Sequence, residues 1–339
     1  MPPDGLPSRP RSAPPTIAFI RTDRLGETLL TLPALAAIRR ARPGRPLILV
    51  ANPALCELLE GLPVVDAVWP APSGGRRWWA WQALQLGWRL RRHRVGMVIV
   101  ANPTKAWHVA AWLAGAPVRV GYRRKWAWAL TAAIADDKAG GARHEVLSNM
   151  ALASAALGES LEPVSSLRVP ILPEDLDGAA RLLNERRSGA GWPVLVVHPW
   201  ASVLRKQWPR ERYDALIERA VRLGGGPVAV IGGVEHQSQA GQWLARRDDV
   251  LDLVGRLSLR QLAAVLHRAR VLVSNDSGPV HLAAAVGTPV VALFGTTDPA
   301  AGPVRWGPWG AGHVVLWKPT LDAISVDDVA AAVQRLCAL

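Results

Sequence analysis

Residues Val271–Pro299, VLVSNDSGPVHLAAAVGTPVVALFGTTDP, constrain the fold more than any other stretch of this chain. Val271–Ser274 is a short apolar, β-branched run of the kind that forms a buried strand. Asn275-Asp276-Ser277-Gly278 breaks it with turn-forming residues. A helix is expected from Pro279, since proline at a first helical position gives up a donor the helix does not use, with Asp276 or Ser277 as its cap. Gly287-Thr288-Pro289 stops that helix, Val290–Phe294 is a second buried strand, and Gly295–Pro299 is a second polar turn. The result is an α/β unit whose helix N-terminus points at the carboxyl edge of a sheet. Such an end offers backbone N–H groups and a partial positive charge, and it binds phosphate well. His281 lies in the first turn, where it can add a proton donor. A purely structural unit is the plain alternative. Against it, Asp-Ser-Gly-Pro-x-His followed by Phe-Gly-Thr-Thr-Asp-Pro sets acids, hydroxyls and an imidazole at adjacent strand ends, where ligands bind in open α/β sheets.

A second strand-to-helix turn opens the chain. Thr16–Arg21 reads as a strand and runs into Arg21-Thr22-Asp23-Arg24-Leu25-Gly26-Glu27, followed by a helix with apolar residues at Leu29, Leu30, Leu32, Leu35 and Ile38. Gly26 allows backbone to approach a ligand, and Glu27 stands at a helix N-terminus, where it serves either as a cap partner or as a base. Asp23 adds a second carboxylate to the same turn. Further strands are expected at Pro46–Ala51, Val64–Trp69, Met97–Val100, Val194–His198, Pro227–Ile231 and Val250–Leu253. The loop after Val194–His198 carries Ser202 and Lys206, the latter either solvated or anion-facing. Prolines in the run Gly158–Pro173 mark a linker. The expected organisation is a disordered tail over residues 1–15, an N-terminal domain over 16–160, a linker over 161–175, and a C-terminal domain over 176–339 that ends in a closing helix, 325–339.

Charge divides the chain. Residues 1–150 hold 21 Lys and Arg against 9 Asp and Glu, whereas residues 151–339 hold 19 against 18. The excess in the first half calls for an anionic partner or a solubilising surface. Nine of the 16 tryptophans fall in the same half. Four of them lie in Arg76–Arg94, RRWWAWQALQLGWRLRRHR, where Trp78, Trp81, Leu84, Leu86, Trp88 and Leu90 favour one side. Arg76, Arg77, Arg91, Arg92 and Arg94 stand at its ends, and Arg123 and Arg124 repeat the basic-aromatic pattern. A core helix with a solvated rim is one reading. The other is an acceptor or membrane patch, because tryptophan prefers the headgroup layer and basic residues near an anionic surface contribute about 1 kcal/mol each. Basic residues with stacking aromatics also suit nucleic acid, but no nucleic-acid module is present and none is expected as a partner. No stretch reaches the roughly 18 apolar residues of a membrane span. Cys56 and Cys337 lack metal-ligand or redox spacing, as in a reduced, cytoplasmic protein.

NDSGPVHLAAAVGTPVVALFGTTDP resembles the nucleotide-sugar motif of glycosyltransferase family 9, the bacterial heptosyltransferases. RTDRLGETLLTLPAL is similar to that family's N-terminal motif, and Lys206-Gln207-Trp208-Pro209 to its Lys-x-Trp-Pro signature. The resemblance implies the α/β GT-B architecture, two Rossmann-like domains facing a central cleft, and an inverting, metal-independent sugar transfer that needs no cofactor. It further implies an ADP-heptose donor and a lipopolysaccharide or similar anionic glycolipid acceptor, met at the cytoplasmic face of the inner membrane by peripheral contact. The family's base is an aspartate after the glycine, where this chain has Glu27. Lys206, Ser202, Asp276, Ser277, Gly278, Pro279 and His281 map to donor binding. Trp200 stands where the family tends to have glycine. Another nucleotide sugar, or sugar-nucleotide binding without catalysis, are the alternatives.

Overall fold

The computed structural model describes residues 15–124, 126–165, 168–186, 191–223, 226–245 and 247–337. The expected tail lies outside them except for Pro15, as do Lys125, residues 338 and 339 and the side chain of Arg76. The chain divides into two compact units, residues 1–167 and 168–339.

Unit 1 is built on six strands: β1 (Thr16–Arg21), β2 (Leu47–Ala51), β3 (Ala67–Pro70), β4 (Val95–Val100), β5 (Val118–Tyr122) and β6 (Ala132–Ile134). They form one parallel sheet in the order β3-β2-β1-β4-β5-β6. Every residue of β1 and β2 is buried, as expected of strands covered by helices on both faces. The order reverses between β1 and β4. The loops leaving those two strands part in opposite directions and open a crevice at their carboxyl ends.

Unit 2 repeats the plan with β7 (Leu195–His198), β8 (Val228–Val230), β9 (Val250–Asp252), β10 (Val271–Asn275), β11 (Val290–Gly295) and β12 (Val314–Lys318). Its order, β12-β11-β10-β7-β8-β9, is that of unit 1 read from the other edge, so its reversal falls between β7 and β10. Each unit has its own apolar core. Trp208, Tyr213, Ile217 and Ile324 lie in the core of unit 2, and Leu86, Leu90, Val98 and Ala110 in that of unit 1.

Several elements depart from the sequence expectation. The strand expected at Val64–Trp69 pairs only from Ala67, because Val65 turns back on Leu62 and the backbone first meets β2 where Asp66 N–H bonds Leu47 O. β5, β6 and β12 were not anticipated. Arg119 interrupts the apolar run of β5 yet satisfies its guanidinium on Ala116 and Ala129 carbonyls. The helix after β1 is two pieces, Leu25–Leu29 and Leu32–Ala41. Pro33 sits in the first turn of the second piece and has no N–H to extend the first.

Candidate active site

In unit 2 the reversal between β7 and β10 gathers His198, Ser274, Asn275, Asp276 and Ser277 at two adjacent strand ends. The helix that follows spans Gly278–Val286, with Ser277 at its N-cap position and Pro279 in its first turn. Ser277 holds the N-cap position but its side chain makes no cap bond, contrary to expectation. Ser277 Oγ turns back, 3.1 Å from His198 Nδ1 and 3.0 Å from Ser274 Oγ, and donates to Asn275 O at 3.1 Å. The side chain at the N-cap position therefore leaves the first N–H groups of the helix uncapped, at an end that carries partial positive charge. His281 is buried in its first turn. Asp276 instead accepts from Lys206 Nζ at 2.5 Å, which joins the β10 turn to the loop after β7.

That loop is pinned at both ends by Asn275, a residue the sequence marked only as a turn former. Its Nδ2 donates to Pro199 O at 2.7 Å and its Oδ1 accepts from Trp208 N–H at 3.0 Å, and the side chain is fully buried. Trp208 is itself buried, donating through Nε1 to Ile324 O at 2.9 Å and packed edge-on against Tyr213. Lys206 thus projects from a loop fixed two residues further on, and Ser202 lies exposed in the same loop. Trp200 does not project into the loop's free side. Its ring stacks on His236 at 5.0 Å and fills the space beside Gly232, where a Cβ would stand 2.8 Å from the ring. Pro199, Trp200, Trp208, Gln239 and Trp243 line a pocket of about 300 Å³ at this end of the unit.

His198 is enclosed, and burial above all, with His236 nearby, lowers its pKa from 6.5 to about 3. Below pH 6.5 the unfolded chain binds a proton that the folded one refuses, so the stability tied to this neutral ring is complete above pH 6.5 and is lost as pH falls toward about 3. By urea unfolding, the wild type should lose roughly 1.5 kcal/mol more stability than His198→Gln on going from pH 6.5 to pH 5. Parallel losses in both proteins would show that the ring titrates normally.

In unit 1 the carboxyl end of β1 delivers Arg21 into a buried ion-pair network. Its Nε donates to Asp23 Oδ1 at 2.7 Å, and its guanidinium reaches Glu145 Oε1 at 2.9 Å and Asn149 Oδ1 at 3.4 Å. Lys138 Nζ donates to the same Glu145 oxygen at 2.7 Å. Burial alone would raise the Glu145 carboxyl, but Arg21 and Lys138 overcome it and hold it below the ordinary range. Asp23 goes the other way: burial lifts its carboxyl above the usual value, Arg21 opposes this and Glu27 adds to it. Glu27 lies in the first turn of Leu25–Leu29, facing the exposed Arg24 at 3.3 Å. Asp23 and Glu27 are therefore near enough to sense each other, but Asp23 is fastened to Arg21 and Glu27 is held only by a solvated arginine. Glu145, Lys138 and Asn149 were missed by sequence reasoning. The one available signal was Arg21 itself, a charge at the end of a buried strand, which needs a carboxylate.

The basic, tryptophan-rich segment resolves into a short turn, Arg76–Trp78, and a helix, Trp79–Arg92. The side chains expected to share one side do not. Leu86 and Leu90 are buried, and Trp78, Trp81, Leu84 and Trp88 are exposed. Arg77, Arg91, Arg92, Arg94, Arg123 and Arg124 are exposed, Arg124 being paired with Asp136. Among the described residues no helix is long and apolar enough to cross a membrane, and no group of three or more His, Cys, Asp or Glu side chains converges as a metal site.

The profile of glycosyltransferase family 9 (heptosyltransferase) matches residues 83–331. Lipopolysaccharide heptosyltransferase 1 of Pseudomonas aeruginosa is 30% identical over 298 residues, 84% of this chain and 79% of that protein. Lipopolysaccharide heptosyltransferase 3 of Escherichia coli is 29% identical over 170 residues, which span 44% of this chain and 48%, about half, of that relative. Among solved structures, a family 9 glycosyl transferase from Veillonella parvula superposes with a TM-score of 0.85 at 22% identity, covering 96% of this chain and 98% of its own. The E. coli heptosyltransferase WaaC with ADP-2-deoxy-2-fluoro heptose superposes at 0.68 with 23% identity, covering 94% and 99%. These superpositions assign the fold, the GT-B type with two Rossmann-like units. With the profile covering well over half of its length, the chain belongs to glycosyltransferase family 9, the heptosyltransferases.

Proposed function

We propose that this protein transfers a heptose, or a closely related sugar, from a nucleoside diphosphate sugar, foremost ADP-heptose, to a lipopolysaccharide core or similar anionic glycolipid. The transfer inverts the anomeric carbon and uses no metal ion. The observation that carries this reading is the Lys206–Asp276 pair beside the uncapped N-terminus of the Gly278–Val286 helix, at the reversal between β7 and β10. A cation and a helix dipole there meet the charge that builds on a departing diphosphate, the step at which preorganised donors help most. The likeness to a lipopolysaccharide heptosyltransferase and to a heptosyltransferase with ADP-2-deoxy-2-fluoro heptose supports the same donor and acceptor classes.

Unit 2 holds the donor. Lys206, Ser202, His281 and the backbone of Ser277–Val280 bind the diphosphate, and Asp276 keeps Lys206 extended before the donor arrives. Unit 1 takes the acceptor. Glu27 accepts the proton of the acceptor hydroxyl as its oxygen attacks the anomeric carbon, and the bond to the diphosphate breaks. Asp23, bonded to Arg21, shapes the turn that carries Glu27. The enzyme works at the cytoplasmic face of the inner membrane, where its acceptor is anchored.

Lys206→Ala should weaken ADP binding at least about tenfold, the loss of one charge-assisted contact, by calorimetry. Unchanged affinity for both ADP and the intact donor would remove Lys206 from the site. Turnover of ADP-, UDP- and GDP-sugars, followed by mass spectrometry of the released nucleotide, tests the donor. Release from UDP- or GDP-sugars alone overturns the ADP assignment, and release from none leaves a binding protein.

A further inference from the structure

We propose that the outward face of the Trp79–Arg92 helix, together with Trp78, docks unit 1 on an anionic lipid bilayer. The proposal deepens the reading of a lipid-anchored acceptor and rests on it for its purpose. Successive residues of a helix are about 100° apart, so side chains three and four apart share a face. Trp81, Leu84, Trp88, Arg91 and Arg92 fall on one face, and Ala83, Leu86, Gly87 and Leu90 on the other.

The second face is fully engaged. Leu86 and Leu90 are completely buried, and a Cβ at Gly87 would stand 2.7 Å from Leu113 Cβ, so the helix lies tightly on the helix Lys105–Leu113. The fold is satisfied by that contact, yet the first face still presents large rings. Trp78, Trp81, Leu84 and Trp88 are 64%, 55%, 52% and 60% exposed. Of the six tryptophans exposed among the described residues, five belong to unit 1, so the feature is regional and not a scatter of single side chains. A separate run of rings starts from Trp79, which shares the inward side with Leu86 and packs against the core: Trp79 meets Trp126 at 5.5 Å, Trp126 meets Trp128 at 5.9 Å, and Trp128 meets Trp112 at 5.7 Å. Trp126 holds a left-handed φ of 72°, a conformation strained for a bulky side chain, within this ring run.

The chemistry of the face selects its occupant. Arg92 stacks over Trp88 at 5.3 Å, and Arg77, Arg91 and Arg94 are exposed nearby in the chain. Amphipathic rings interleaved with arginines suit the headgroup layer, where rings settle at the interface and guanidinium groups meet lipid phosphates. Protein interfaces also take tryptophan and arginine at their centres, but the basic excess of residues 1–150, 21 Lys and Arg against 9 Asp and Glu, calls for an anionic surface. A second copy of the same face would bring arginine against arginine.

Sedimentation of the full chain with phosphatidylcholine vesicles, with and without phosphatidylglycerol, tests the docking. Binding should require the anionic lipid and fall as salt rises. Arg91→Gln/Arg92→Gln and, independently, Trp81→Gln/Trp88→Gln should each weaken it about tenfold or more, with the thermal unfolding midpoint retained as the check on folding. Equal binding to both vesicle types, binding to neither, or binding unchanged in both double variants overturns the proposal. So does lipid-free self-association that the tryptophan pair abolishes, which would give the face to a second copy. ADP binding by the same samples separates this from the donor reading. ADP bound without vesicle binding sinks the docking alone, and vesicle binding without ADP sinks the donor site and leaves the docking standing.

Discussion

Glu27→Gln is expected to fold and to bind ADP like the wild type, while turning over at least about a hundredfold more slowly. The substitution keeps the side chain's size and its capacity to accept a bond from Arg24, but it removes the site for the acceptor's proton. A carboxylate that only supports a helix end contributes about 1 kcal/mol to stability and nothing to turnover, so measuring both on one variant separates the roles. Glu27→Asp shortens the reach by one methylene but keeps a carboxylate in the first turn of the helix, and should keep substantial activity. Asp23→Asn is the informative companion. Asp23 is already bonded to Arg21 at 2.7 Å, so its loss should loosen the turn and reduce turnover less than the loss of Glu27. If Asp23→Asn abolishes turnover and Glu27→Gln stays active, the proton goes to Asp23. If neither matters, the base mechanism fails.

Glu145→Ala should destabilise unit 1 by about 3–5 kcal/mol in urea unfolding at pH 7, since it leaves a buried arginine and a nearly buried lysine without the carboxylate they share. The pH dependence carries a sign. Glu145 has its pKa lowered in the folded protein, so its contribution is complete above the ordinary value of 4.5 and is lost as pH falls through the lowered one. The gap between wild type and variant should therefore be widest near neutrality and close in acid. Asp23, raised by burial, acts in the opposite sense: it stabilises the fold as pH drops through its folded pKa, and because it shares Arg21 with Glu145 its own shift changes in the variant as well. A variant within about 0.5 kcal/mol of wild type at pH 7 would show that Arg21 and Lys138 find other partners.

What could be read from sequence depended on how local its cause was. β1 and β10 are unbroken apolar runs ended by turn residues, and both were recognised. β5 was not, because Arg119 and Gly121 interrupt its run and only the neighbouring β4 and β6 make it a strand. The faces of the Trp79–Arg92 helix were misjudged for a related reason. Tryptophan looks like core material, and only Gly87 seated against Leu113 decides which side turns inward. The loop after β7 and the β10 turn were legible as motifs, but the bond that unites them was not. Asn275 and Trp208 are 67 positions apart, and Arg21 and Glu145 are 124 apart. No local pattern encodes such pairs.

The grip of Asn275 on Pro199 and Trp208 bears on how donor affinity is distributed. A loop free in the unliganded protein would lose conformational entropy on binding, and that loss would subtract from affinity. Here the loop is ordered when the chain folds, and the ordering belongs to the stability of unit 2. Lys206 therefore stands ready at the helix end before any ligand is present. If the proposed donor site is right, loosening the clasp would appear as weaker nucleotide binding with Lys206 itself unchanged.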